Sequence, residues 1–287
     1  MIPRRALLVG LTVFLLAAIV RPVWAAEPVK VVIVAGSNFY KVGEHDYLAG
    51  SAVLTNLLRQ TPGIVPVLAV DWPKKPEETF EGARAVVMFC DGGDKHPFLK
   101  EDRLVQIEKL AAAGVGLVAL HQVDDVPKSR GDRTRVLLGA AWENGYSRRA
   151  HWVTTFSTFS AHPVSRGVAP FTIDDGWLYH LRFVPELRGV SPLLRAAPPK
   201  ATTALEADSD SIVSWAYDRP GGGRSFIFTG AHLHKSLAEE GYRRFLINGI
   251  LWSAHVEIPE AGAPVALAPG DLKPTPEPRG ISQTPKP

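Results

Sequence analysis

Val29-Lys-Val-Val-Ile-Val-Ala-Gly36 is a short run of mostly β-branched apolar residues stopped by glycine. A strand with one wet face alternates apolar and polar residues. A near-continuous apolar run belongs to a strand covered on both faces, as in a parallel sheet. The residues that follow repeat the pattern. Ala49 to Gln60 carries Leu54, Leu57 and Leu58 at helical spacing and ends at Pro62-Gly63. Ile64 to Val70 is a second strand, and Ala83 to Cys90 a third, broken by Asp91-Gly92-Gly93. Lys100 to Ala113 sets Leu104, Ile107 and Leu110 on one helical face. Val115 to Leu120 is a fourth strand running straight into His121. Strands alternating with helices predict a parallel sheet with right-handed crossovers.

The pattern weakens between Asp124 and Ala207, which reads as loop with short strand candidates such as Trp177 to Phe183. It returns with Ser211 to Tyr217, a Pro220-Gly-Gly-Gly223 hairpin turn, and Arg224 to Thr229. A last helix is expected from Ser236, where Ser236-Leu-Ala-Glu239 has the form of a capping box, through Phe245, Ile250 and Trp252. The predicted fold is α/β, a flavodoxin-like, doubly wound, mostly parallel sheet.

The two ends differ from this middle. Met1 to Arg5 is a basic start, Ala6 to Val20 an unbroken run of 15 apolar or small residues, and Val23-Trp-Ala25 a small-residue cleavage site. This predicts a signal peptide over 1–25 and an exported mature protein, periplasmic or extracellular. The run falls short of the roughly 20 residues of a membrane span. Pro259 to Pro287 holds eight prolines without helical or strand period and is expected to be a solvated tail. The folded domain is thus expected over 26–258.

Composition removes other classes. Three of the 32 basic residues, Arg4, Arg5 and Arg21, lie in the leader, so the trimmed chain merely balances its 29 acidic residues. Nucleic-acid binding has no basic surplus to draw on. One Cys rules out an internal disulfide framework and a Cys-rich zinc site.

In doubly wound sheets, ligands bind beyond the carboxyl ends of the strands, near the point where strand order reverses. Four predicted loops open on that edge and carry candidate groups. The first holds Tyr40, Glu44, His45 and Asp46; the second Asp91 and His96; the third His121-Gln122; the fourth Gly230-Ala-His232-Leu-His234.

These residues lie within a set of motifs that resembles the trehalose-utilisation (ThuA-like) family. The motifs are Gly43-Glu-His-Asp46, Gly116-Leu-Val-Ala-Leu-His121, His162-Pro-Val-Ser-Arg-Gly167, Phe171-Thr-Ile-Asp-Asp175 with Trp177-Leu-Tyr-His180, Thr229-Gly-Ala-His232 and Asn248-Gly-Ile-Leu-Trp252. The exported form is most similar to planctomycete-type members. The resemblance implies a class I glutamine-amidotransferase-like fold and a role in uptake or breakdown of sugars, notably keto-disaccharides. The family commonly has an acidic residue where Gly176 stands.

Amidotransferases of this fold place a nucleophilic Cys at the turn after the fourth strand, where this chain has His121. Cys90 lies one strand earlier without an exposing Gly-x-Cys-x-Gly, so thiol chemistry is not expected. What remains is histidine and carboxylate chemistry. His45, His121 and His232 suit a divalent metal such as zinc, with Asp175 or Asp91 as oxygen ligands. The same groups suit general acid–base work without metal. The expected catalytic residues are His121, His232 and Asp175. The expected sugar contacts are Tyr40, His45, Asp91, Trp177, His180 and His234. His162 is expected to position the Pro163 turn, with Arg166 holding a carboxylate. Two functions follow: an exported enzyme acting on a sugar or keto-glycoside, or a catalytically silent glycan-binding protein.

Overall fold

The structure is a computed structural model and describes residues 27–37, 40–100, 102–199 and 211–276. The expected leader lies outside them, as does the end of the chain from 277. The first half is β1 (Val29–Ala35), α1 (Tyr47–Leu58), β2 (Ile64–Val70), a short α2 (Pro76–Phe80), β3 (Ala83–Cys90), α3 (Arg103–Ala112) and β4 (Gly116–His121). Then come α4 (Gly131–Leu138), β5 (Ala140–Ala141), β6 (Arg148–Phe156), β7 (Phe171–Tyr179), β8 (Arg182–Phe183) and β9 (Val190–Arg195). β10 (Ile212–Asp218), β11 (Arg224–Phe228) and α5 (Glu240–Ser253) complete the described chain.

The main sheet has seven strands in the order β2-β1-β3-β4-β11-β10-β9. β2, β1, β3, β4 and β11 run parallel, and β10 is antiparallel to both its neighbours. The first strand shows why its run is continuous. Val31 and Ile33 face a core closed by α1 and α5, while Val32 and Val34 face a second core closed by α3 and α4. All four are fully buried, so neither face tolerates a polar residue. No helix among the described residues is long and apolar enough to cross a membrane.

Three expectations change. The middle is not mainly loop: β6 and β7 pair antiparallel over nine residues each, from Arg148↔Tyr179 to Phe156↔Phe171. The sequence hides β6 because one face is exposed and carries Arg149, His151 and Val153, while Trp152 and Phe156 alone are well buried. The candidate strand Trp177 to Phe183 breaks at His180, whose φ of 52° turns the chain before β8. Ser236 does not cap the last helix. It lies within a short 3-10 turn, His234–Ala238, and α5 begins after Glu239 with no side-chain cap.

A further change concerns the C-terminal segment, which packs against the domain from Pro259 to at least Thr275. Ala263 and Val265 are buried. Asn248 on α5 donates to Val164 O and Arg166 O (2.9 Å each) and accepts from Ala263 N at 3.0 Å. Gln60 exchanges two hydrogen bonds with Ala266. Thr275 donates through N and Oγ1 to Asp46, the N-cap of α1, at 2.7 and 2.6 Å. Prolines bar this strap from a sheet ladder, and side-chain amides and a carboxylate partner its backbone instead. A chain ending at Pro259 should therefore be less stable by about 2 kcal/mol or more, the magnitude of one buried Val with its bonds. Urea unfolding of the truncated and full chains checks this; equal midpoints would mean the strap holds nothing.

Candidate functional site

Because β1, β3, β4 and β11 are parallel, their carboxyl ends share one edge, and chemistry-bearing residues follow each. His121 ends β4, beside Cys90 at the end of β3. Its backbone is strained, with φ 60° and ψ −118°, a conformation that costs of order 1–3 kcal/mol in a non-glycine residue. The turn lifts the imidazole off the sheet edge. His45 and Ala231 also have positive φ, 49° and 71°.

The first and last of these loops are zipped together by backbone. Glu44 bridges Leu233, His45 N donates to His232 O at 2.9 Å, and His234 N to Gly43 O at 2.9 Å. Asp175 on β7 secures the second loop from beneath. Its fully buried carboxylate accepts from Ala231 N (3.0 Å), His232 N (2.8 Å), Leu233 N (3.4 Å) and Gly176 N (2.8 Å). Burial pushes its carboxyl up to about 7, against the pull of those amides.

The imidazoles of His45, His121 and His232 meet as a result, with one ligating atom from each within 4.8 Å of the others. His121 Nε2 lies 3.4 Å from His45 Nε2. The tautomers follow from the outer partners. His121 Nδ1 faces Thr229 O at 3.4 Å, so it carries the proton. Tyr47 Oη lies 2.9 Å from His45 Nδ1 and 3.4 Å from Asp91 Oδ1, and with its proton turned to Asp91 it accepts from His45 Nδ1. In that arrangement both Nε2 atoms carry lone pairs and face one another. Burial first, then the imidazoles of His45 and His232, hold His121 well below the ordinary histidine range. Burial, then His45 and His151, brings His232 down to about 4.

The trio floors a cavity of about 210 Å³ whose walls include Trp177, Gln122, Arg149 and His151. Trp177 gives its indole N–H to Trp152 O (3.0 Å) and is buried among the core rings of Phe156 and Phe228. Arg149 and His151 share the outer face of β6. At Gly176, opposite His151 on β7, a Cβ would lie 2.9 Å from His151 Nε2 and 3.1 Å from His232 Cβ. His151 thus fills the space a side chain at 176 would take.

Other expected residues lie around the cavity rather than in it. Asp91 sits behind His45, accepting from Tyr40 as well as Tyr47. Tyr40 packs its ring 4.3 Å from that of His45. Asp175 supports the loop from below and does not line the cavity. His180 stacks on Tyr146 at 4.4 Å. His234 is buried behind the trio, in a small apolar recess with Asp46 and Tyr242. His162 accepts from Val164 N at 3.2 Å and Arg166 pairs with Glu257, as expected. Sequence reasoning put Gln122 on the site edge without a role and missed Arg149 and His151 as wall residues. The available signal was the period-two spacing of Arg149 and His151, unusable while β6 read as loop.

Cys90 is fully buried, and burial followed by the nearby Asp91 pushes its thiol well above the ordinary range. A protonated, inaccessible thiol is no nucleophile. His96 is also structural. Its Nε2 contacts Val123 O at 2.7 Å and its Nδ1 accepts from Phe98 N at 3.3 Å.

Burial brings His96 down to about 4, against the Val123 carbonyl and Asp91. Its folded value is below the unfolded one, so the unfolded chain gains the proton first as pH falls. The stability is complete above about pH 6.5 and declines toward pH 4, by about 3 kcal/mol for this group. Unfolding free energies over this range should show the decline, and His96→Gln should flatten it.

The trehalose-utilisation (ThuA) family matches residues 30–253 of the chain. No curated protein matches it. Among solved structures it is similar to a ThuA-like protein from Parabacteroides merdae, at 14% identity and TM-score 0.60, over 87% of this chain and 100% of that one. A ThuA-like protein from Bacteroides uniformis is similar at 16% identity and TM-score 0.61, over 84% of this chain and 97% of that one.

Proposed function

The chain belongs to the trehalose-utilisation (ThuA) family, and from that membership we propose that it is an exported carbohydrate-active enzyme, processing sugars or keto-glycosides at the histidine trio. One observation carries the chemistry: the Nε2 atoms of His45 and His121 face each other at 3.4 Å. With both Nδ1 atoms holding the protons, such a pair is repulsive unless a cation lies between, either a metal ion or a shared proton. Tetrahedral zinc with nitrogens at ~2.0–2.1 Å spaces its ligands by about 3.3 Å, so the His45–His121 pair fits, with a His232 nitrogen within 4.8 Å of both. The outer partners fit too, since Thr229 O and Tyr47 are the kind of groups that orient ligating imidazoles.

His45, His121 and His232 would hold the ion, which when bound supplies Lewis acidity toward a ligand oxygen. The chain's own groups do the rest. Asp175 keeps the His232 loop in place, and Asp91 acting through Tyr47 keeps the His45 Nε2 lone pair directed inward. His151 stands at the mouth, its ring 4.4 Å from that of His232, within range to exchange a proton with a bound hydroxyl. Export is supported by the leader-like residues 1–25. A catalytically silent glycan-binding protein is the second reading, favoured by Gly176 in place of the family's usual acid.

Zinc titration with elemental analysis, together with assays on a panel of keto-glycosides, tests the proposal. Wild type should bind one ion per chain and turn over at least one substrate. His121→Ala and His232→Ala should lose the ion and about 100-fold or more of activity, with melting temperatures nearly unchanged. Cys90→Ala should keep both. Metal-free wild type that remains active would assign acid–base chemistry. Sugar binding without turnover would favour the silent reading, and an inactive Cys90→Ala beside active histidine variants would overturn both.

A further inference from the structure

We propose that Arg149, with Gln122 and His151, forms an oxyanion subsite beside the trio, so that the sugar taken by this cavity bears a carboxylate or a phosphate. The inference rests on the trio being the reactive centre, and adds the chemical class of what reaches it.

Neutral sugars are held largely through hydroxyl groups, each of which needs an acceptor for its proton. Among the described residues no Asp or Glu lines the cavity. The carboxylates expected to serve are engaged elsewhere: Asp175 with four backbone amides, Asp91 with Tyr40 and Tyr47, and Asp174 with Lys235 at 3.6 Å on the outside. Acceptor nitrogens of the trio are spent once they hold a cation. What remains on the walls is a set of donors.

Arg149 is the charged member, and it is held in place. Its guanidinium lies over the Trp142 ring at 4.1 Å, and Nη2 donates to Asp125 Oδ2 at 3.0 Å. Asp125 is itself nearly buried, packed so closely on Gly92 that a Cβ there would lie 2.6 Å away. A guanidinium fixed by a ring face and one carboxylate retains further N–H groups in its plane, the fork that matches a carboxylate or phosphate. Gln122 accepts from Gly92 N through Oε1 at 3.3 Å, so the NH₂ end is the one it can offer. His151 adds an imidazole on the same face of β6. At about 210 Å³ the cavity is smaller than the ~300 Å³ at which drug-sized pockets begin, suiting one monosaccharide unit.

The test is calorimetric titration of the zinc-supplemented full chain with D-glucose, D-glucuronate and D-glucose 1-phosphate. One or both anions should bind at least tenfold more tightly than glucose, with the carboxylate and phosphate arms identifying the source. The preference should shrink as salt is raised. Arg149→Gln should abolish the preference, and Arg149→Lys, which keeps the charge but not the fork, should retain part of it. Both variants should keep the melting temperature and the bound zinc of wild type. Equal affinity for glucose and both anions, or an anion preference unchanged in Arg149→Gln, overturns the inference. Zinc stoichiometry reads the trio separately: normal zinc with no charge preference removes the subsite and leaves the proposed function standing. Absent zinc with an Arg149-dependent preference keeps the subsite and removes the metal reading of the trio.

Discussion

The positions of two of the three imidazoles depend on the Asp175 carboxylate. Sealed from solvent, it draws four backbone N–H groups to itself and fixes the chain from Ala231 to Leu233 against β7. A buried carboxylate without such partners would cost several kcal/mol, so the loop cannot leave it cheaply. The fixed loop offers His232 O and its neighbours as a backbone edge. The Gly43–His45 segment pairs with that edge, and His45 is thereby carried over His121. One carboxylate thus sets two of the three imidazoles, and the end of β4 sets the third.

Holding nitrogens together in this way is opposed by several forces. Three of the residues concerned have positive φ, and in the tautomers assigned above the facing lone pairs repel. The sheet beneath supplies the opposing rigidity. β3, β4 and β11 are paired along their length and buried on both faces, so the edge does not relax to relieve the strain. The strap contributes from the far side through Thr275, whose two bonds to Asp46 tie down the residue next to His45. A cation between the Nε2 atoms would turn the repulsion into attraction, which is why the arrangement points to a ligand rather than to packing.

The fold was legible wherever burial on both faces forced a continuous apolar run. β1, β3 and β4, with α1 and α3, therefore lie where periodicity puts them, within a few residues. The three histidines were legible because the strand-end rule collects them on one edge. The parts that escaped share a physical cause. β6 is half exposed and carries arginines and a histidine, so its alternation is not an apolar one. The strap's backbone is partnered by Asn248, Gln60 and Asp46 from distant parts of the chain, and such bonds leave no periodic trace. Asp175 reads from sequence as an active carboxylate because nothing in a sequence shows that four amides already occupy it.

The turn after β4 is the position where this architecture exposes one side chain above the sheet, and the identity of that side chain decides the chemistry available. A thiol there would act as a nucleophile, given a base beside it. An imidazole there, made neutral by burial and oriented by a backbone carbonyl, is a donor of electron pairs to a cation or proton instead. The single thiol has been left one strand away, where burial keeps its proton on. With Asp91 and Asp175 behind the imidazoles, negative charge supports the cluster from outside while the cavity wall presents donors. That separation, acceptors behind and donors in front, is what a site needs to hold a cation and meet an electron-rich oxygen of its ligand.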